Sequence, residues 1–309
     1  MQSIHSAAVK GCIKVLILSL CMGSPLPQAL AWEPAVGQII DDQGGALVKV
    51  VNPVKRLTGT GVAFLHEDEV YILTSRHVAE GVTNLLIGTI HDTNRKARIT
   101  LHAKLHAVAI TEDAAFYRVY EEIDGEPFSS SAMKEGRYGL FRPIDQLLAK
   151  EGRTTAPLSR GKRVGLLGLP DMSGWILTWT EGVVASIRIE QGDSMVYASR
   201  LYWTTAPIGE GGSGSLAVDQ QGRFAGIGLS GHYTANSPIS LSGILPANLI
   251  IRAFHDPEHH VKDWDDLQMG DWTEIRCCPL SLTFAGCRRL FLSAIFSTMV
   301  ERHPTVRTR

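Results

Sequence analysis

Between Trp32 and Arg276 the sequence contains no cysteine. A disulfide-stapled scaffold is thereby excluded for that stretch, and any core within it must be held by apolar burial alone. The five cysteines sit at the ends: Cys12 and Cys21 early, Cys277, Cys278 and Cys287 late. Three late thiols allow at most one intrachain bridge, and their spacing matches no metal-ligand pattern. Charge of one sign is also missing. The formal net charge is -1 over 309 residues, with no long basic run, so the electrostatic footprint of a nucleic-acid partner is lacking. No apolar run makes a comfortable membrane span. The late run "CCPLSLTFAGCRRLFLSAIFSTMV" is split by Arg288 and Arg289. There is no internal repeat and no low-complexity tract.

What is present is ordinary globular material. Apolar residues make up 44% and charged residues 20%, enough to bury one large core or two small ones. The first thirty residues stand apart. Lys10 and Lys14 precede the short apolar "VLILSLCMG", and "PLPQALA" ends in small-x-small at Ala29 and Ala31. That order predicts a secretory signal peptide over 1–31, and hence a periplasmic or secreted protein with no stable membrane span after cleavage; an uncleaved anchor is the alternative reading.

From about residue 45 to 250 short β-type runs alternate with turn signals. "ALVKVV", "TGVAFL", "EVYILT", "ARITLHAKLHAVAI" and "AFYRV" come first; "RVGLLG", "GVVASIRI", "SLAV" and "FAGIGLS" follow. They are rich in Val, Ile, Tyr and Thr and are broken by "HEDE", "QGD" and "DQQG", a pattern that predicts an all-β sandwich or barrels. Residues 121–160 are polar and rich in Gly, Pro and Ser, with one helical candidate at 144–150, and read as a connection between two β units. "PANLIIRAF" at 246–254 predicts a closing helix.

Three positions carry candidate chemistry. Ser213 lies among four glycines in "APIGEGGSGSLAV"; a serine hydroxyl becomes a nucleophile only when a base takes its proton. His77 stands where the hairpin "TGVAFLHEDEVYILTSRHVA" ends, a position that aims an imidazole rigidly. Asp113 directly precedes the apolar run "AAFYRV", where a carboxylate is costly to bury without a partner and an imidazole N–H would serve. Each has a plain alternative: a flexible turn for Ser213, a strand cap for His77, a solvated turn carboxylate beside Glu112 for Asp113. His255, His259 and His260 in "HDPEHH" suggest metal binding, but a charged exposed tail explains them better.

Together these segments resemble the trypsin-like serine proteases, in particular the bacterial HtrA-type branch. "TGVAFL" with "YILTSRHV", "TEDAAFYRV", "TAPIGEGGSGSLAV", "GKRVGLLGLPDMSGWILTWTEGVVAS" and "SGILPANLIIRAF" are similar to that family's segments, in the order His, Asp, Ser. The likeness covers about residues 40–255. It implies two six-stranded antiparallel β-barrels and a short C-terminal helix: barrel 1 over 33–122, a linker over 123–154, barrel 2 over 155–256, and a tail over 257–309. It further implies an endopeptidase with His77, Asp113 and Ser213 as triad, an oxyanion hole from the N–H groups of Gly211 and Ser213, protein or peptide substrates and no cofactor. Such relatives often form oligomers, and no PDZ-like extension follows here. Three departures bear on the loop: Gly212 stands where the family has Asp or Asn, Ser215 where it has a second glycine, and Arg76 where it has a smaller residue. They keep open a second reading, a catalytically weak or inactive binding module on the same fold.

Overall fold

The computed structural model describes residues 36–91, 94–149, 157–191, 198–232 and 241–269. The expected signal segment, all five cysteines and the last forty residues lie outside them. Helix α1 (Val36–Gln43) leads into six strands: β1 (Leu47–Asn52), β2 (Leu57–His66), β3 (Glu69–Thr74), β4 (Asn84–Ile90), β5 (Ala97–Ala109) and β6 (Ala115–Glu122). They pair in the order β1-β4-β5-β6-β3-β2, and β1 also pairs with β2, which closes an antiparallel barrel. The β2–β3 hairpin shows why the chain turns where it does. His66 faces Glu69 across a two-residue loop in which Glu67 and Asp68 have φ of 49° and 64°, the left-handed geometry that matches strand twist.

After a connecting segment come β8 (Arg163–Gly168), β9 (Thr178–Gln191), β10 (Ala198–Thr204), β11 (Ser215–Asp219), β12 (Phe224–His232) and β13 (Leu241–Pro246). They close a second barrel in the order β10-β13-β12-β11-β8-β9. The expected all-β architecture of two six-stranded antiparallel barrels is therefore what the chain forms. Helix α4 (Ala247–His255) follows at once. No helix among the described residues is long and apolar enough to cross a membrane.

Side-chain alternation explains how two barrels share one molecule. Val48, Ala63, Ile72, Leu85 and Leu101 fill the first interior, and Val164, Leu166, Ala217 and Ile244 the second. Their alternate neighbours Val62, Phe64 and Leu73, and Leu216, Val218 and Leu245, face outward into a third cluster between the barrels. Helix α4 adds Ala247, Ile250, Ala253 and Phe254, a stripe at helical spacing. The ring of Phe254 lies 5.3 Å from Phe64, 5.8 Å from Tyr71 and 5.1 Å from Phe116. Phe254→Ala is expected to destabilise the protein by about 3–5 kcal/mol, lowering Tm by roughly 10 °C. A denaturant melt that shifts by less than about 1 kcal/mol would show that the helix does not hold the two barrels together.

Three expectations are corrected. The predicted helix at 144–150 is instead strand β7 (Ile144–Asp145), which pairs parallel with β2. Gln146 adopts φ 55°, which ends any helix there. Residues of the polar 121–160 connection pack on the first barrel: Ala132 of helix α3 (Ser130–Lys134), Tyr138 and Phe141 are buried with its interior residues. A boundary at 256 also cuts through packed structure. Strand β14 (His260–Val261) pairs with β5. In helix α5 (Trp264–Met269), Trp264 is buried and its indole N–H donates to Val82 O at 3.0 Å.

Candidate active site

His77 sits in helix α2 (Arg76–Ala79), a single turn directly after β3. Asp113 lies in the loop between β5 and β6, just before Ala115, and is only 3% exposed. The two meet twice. Asp113 Oδ1 accepts the His77 backbone N–H at 2.9 Å, and Asp113 Oδ2 lies 2.7 Å from His77 Nδ1. A carboxylate only accepts, so the shared proton belongs on Nδ1 and leaves Nε2 as the basic nitrogen. Burial pushes the Asp113 carboxyl up, but the His77 charge and hydrogen bonds outweigh it and hold the group below its usual range. Burial pulls the imidazole down, yet the Asp113 charge and hydrogen bond leave His77 raised above its usual value.

Two charged side chains, Arg76 and Glu112, brace this corner. Arg76 Nη1 donates to Ala109 O and Ile110 O, each at 3.1 Å, and so ties the helix of His77 to the loop of Asp113. Glu112 is buried and accepts from Arg252 Nη2 of α4 at 2.7 Å.

Ser213 belongs to the second barrel, in the loop leading into β11, and is 4% exposed. Its carbonyl accepts the Thr60 N–H of β2 at 2.8 Å. A Cβ on Gly59 would lie 2.7 Å from Val78 Cγ1 and 3.0 Å from Ser213 O, so the residue after His77 and the carbonyl of Ser213 flank one glycine. On the other side, a Cβ on Gly214 would lie 1.9 Å from Thr60 O and 3.0 Å from Thr74 Oγ1. Only glycine fits that approach, and its φ of 91° is one that other residues avoid.

The loop ahead of Ser213 is pinned carbonyl by carbonyl. Gly209 O accepts from Gly212 N (2.9 Å) and Glu210 O from Asp171 N (2.9 Å). Gly211 O accepts from Thr60 Oγ1 (3.1 Å) and Lys49 Nζ (3.3 Å). Gly212 O accepts from Ser215 N (3.0 Å) and Ser215 Oγ (2.5 Å). In a trans peptide the N–H points opposite to the preceding C=O. The N–H groups of Gly211 and Ser213 are therefore turned away from the acceptor sides on which Glu210 O and Gly212 O are held. Ser215, a departure by sequence, supplies two of these bonds, one from its N–H and one from its hydroxyl. Gly168 makes room for it, since a Cβ there would stand 2.0 Å from Ser215 Oγ.

Residues 59–227 match the trypsin-like peptidase domain family. The chain belongs to that family. Membership supports a serine protease. Among solved structures of similar fold are an inactive form of Rv3671c from M. tuberculosis H37Rv (18% identity, 73% of this chain and 90% of that one, TM-score 0.48), Deg5 (17%, 70% and 90%, 0.46) and the serine endoprotease from Yersinia pestis (20%, 71% and 64%, 0.44). No curated protein matches the chain.

Within this trypsin-like frame, sequence reasoning singled out His77, Asp113, Gly211 and Ser213, and the fold brings His77 against Asp113. It missed Lys49, Thr60 and Asp171, which touch the loop ahead of Ser213. The signal for Lys49 was present: one cation inside the apolar run "ALVKVV" needs a partner if buried. The histidines at 255, 259 and 260 turn to Leu148 O, Asp256 Oδ2 and Ala253 O respectively. No group of metal-ligating side chains occurs among the described residues.

Proposed function

We propose that the chain is an exported serine endopeptidase, acting in the periplasm or outside the cell, in which Ser213 is the nucleophile, His77 the general base and acid, and Asp113 the orienting carboxylate. His77 Nε2 takes the Ser213 proton as Oγ attacks the scissile carbonyl. The same imidazolium then protonates the leaving amine, giving an acyl-enzyme that water hydrolyses by the reverse roles. The N–H groups of Gly211 and Ser213 hold the oxyanion, each donor worth ~3 kcal/mol in such sites. The observation that carries this reading is the double contact of buried Asp113 with His77, which sets one tautomer. A fluorophosphonate probe should label the wild-type protein and leave Ser213→Ala unlabelled; an unlabelled wild type would favour the binding-module reading instead.

Specificity is expected to be aliphatic. The segment ahead of Ser213 carries no buried acid: Glu210 is exposed. Ile208 is buried, its N–H bonded to Ser242 Oγ at 3.0 Å. A Cβ on Gly228 would lie 2.7 Å from Ile208 Cδ1, so the wall there is close and apolar. An unpaired cation in such a pocket loses several kcal/mol of solvation, while one methylene changes binding by only ~1–3 kcal/mol. A peptide library should therefore show broad preference for Val, Ala, Leu or Ile before the cut. Dominant cleavage after Arg or Lys would refute the pocket assignment.

A further inference from the structure

Lys49 is a fully buried cation at the junction of the two barrels. It stands on β1 between Val48 and Val50, which fill the first interior, and its own side chain, 0% exposed, reaches across to the second barrel. Nζ lies 2.7 Å from Asp171 Oδ1, donates to Leu169 O at 2.9 Å and to Gly211 O at 3.3 Å. Asp171 accepts in addition from Thr58 Oγ1 at 2.5 Å and from Trp175 Nε1 at 3.0 Å, and its own N–H bonds Glu210 O. A Cβ on Gly211 would fall 2.6 Å from both Lys49 Nζ and Asp171 Cγ. The pair is therefore seated against the loop and leaves no space for any other residue there.

We propose that the Lys49–Asp171 pair is the positioning device of the oxyanion loop, holding the carbonyls of Glu210 and Gly211 so that the Gly211 N–H faces the reacting carbonyl of the substrate. The reading rests on the serine-peptidase proposal. Three observations converge on it. The residue before the nucleophile is Gly212, which has no side chain to anchor the loop. The two carbonyls flanking the Gly211 N–H are both gripped by this pair, one by the ammonium and one by the Asp171 N–H. A buried ion pair is a poor source of stability, since apolar residues of like volume often do as well, so its place beneath a glycine-rich loop points to geometry. Lys49 touches no reacting atom and acts through Gly211.

The test is Lys49→Met, which keeps the length and apolar stem while removing the ammonium. It leaves Asp171, about one-third exposed, with its Thr58 and Trp175 donors. Displacing one oxyanion donor should lower kcat roughly 100-fold with KM nearly unchanged. The affinity for a peptide aldehyde, whose hemiacetal oxygen occupies the oxyanion site, should fall by a similar factor, while that for the matching peptide alcohol should not change. Thermal melting reports folding. If Lys49→Met does not fold, Thr60→Val, which removes the other donor to Gly211 O, takes its place and should show the same split. A folded variant with wild-type kcat and aldehyde affinity overturns the inference and leaves the peptidase proposal standing. A wild type that neither labels with fluorophosphonate nor cleaves peptides overturns both.

Discussion

Ser213→Ala should lose peptide hydrolysis by a factor on the order of 10⁶ in kcat, because in the proposed mechanism members of a triad act as a unit and the Ser213 hydroxyl is the group acylated. The substitution removes one oxygen and leaves two backbone bonds of the loop in place. The Ser213 carbonyl still accepts from Thr60 N, and Gly214 N still donates to Gly228 O at 2.7 Å. Ser213 is followed by the φ 91° glycine, not in that conformation itself, so alanine meets no backbone penalty. The unfolding midpoint should therefore stay within about 0.5 kcal/mol of wild type. Two measurements decide the matter together: hydrolysis of a library-derived peptide and a denaturant melt. An alanine protein that still cleaves at the wild-type rate would rule out Ser213 as nucleophile. One that has lost both activity and fold would make the loss uninformative about chemistry, and Ser213→Cys would then be needed to separate the two.

Asp113→Asn is expected to be nearly as severe, lowering kcat by roughly 10⁴. The geometry says how. The His77 backbone N–H demands an acceptor where Asp113 Oδ1 stands, 2.9 Å away. An asparagine satisfies it only by placing its carbonyl oxygen there, which puts its NH₂ group in the place of Oδ2, 2.7 Å from His77 Nδ1. An amide NH₂ donates, so Nδ1 must accept and the proton moves to Nε2, where it cannot take the serine proton. The pH profile provides a second reading of the same contact. His77 is raised above 6.5, since the Asp113 charge and hydrogen bond outweigh burial. Wild-type kcat/KM should therefore rise with pH through an ionisation above 6.5, and the midpoint should fall in the asparagine variant, where the Asp113 charge no longer offsets burial.

Stability should run with the opposite sign on the alkaline side. The contribution from His77, whose folded pKa is raised, is complete below the unfolded value and fades as pH rises through the folded one. That from Asp113, whose folded pKa is lowered, is complete above the unfolded value of 3.8 and is lost as pH falls through the folded one. The pair thus stabilises most between pH 3.8 and 6.5, and begins to weaken where activity rises. The difference between melts of wild type and Asp113→Asn should be largest within that window and shrink on either side of it; a constant difference at all pH values would refute the coupling.

The amino-acid sequence alone determined the class of the fold and singled out His77, Asp113 and Ser213 as candidate positions. Period-two apolar runs such as "TGVAFL" and "EVYILT", with turn residues between them, can only bury their faces as sheets. Alternate residues on those runs, such as Val62 and Ala63, then serve two different cores. His77 and Asp113 were legible because each stood at the end of such a run, where a polar side chain is held by rigid backbone. What the tertiary structure alone decided is which distant groups meet. Lys49 and Asp171 are 122 positions apart in the chain, and no local pattern couples them; only the approach of the two barrels sets the ammonium against Gly211 O. The same holds for Ser215, whose hydroxyl is useful because Gly168 on the neighbouring strand leaves room for it, and for residues 260–264, where local texture reads as a tail and the docking of Trp264 on Val82 makes it part of the first barrel. Local sequence sets dihedral preference and face polarity over a few residues, whereas contacts across barrels depend on closure of the whole sheet.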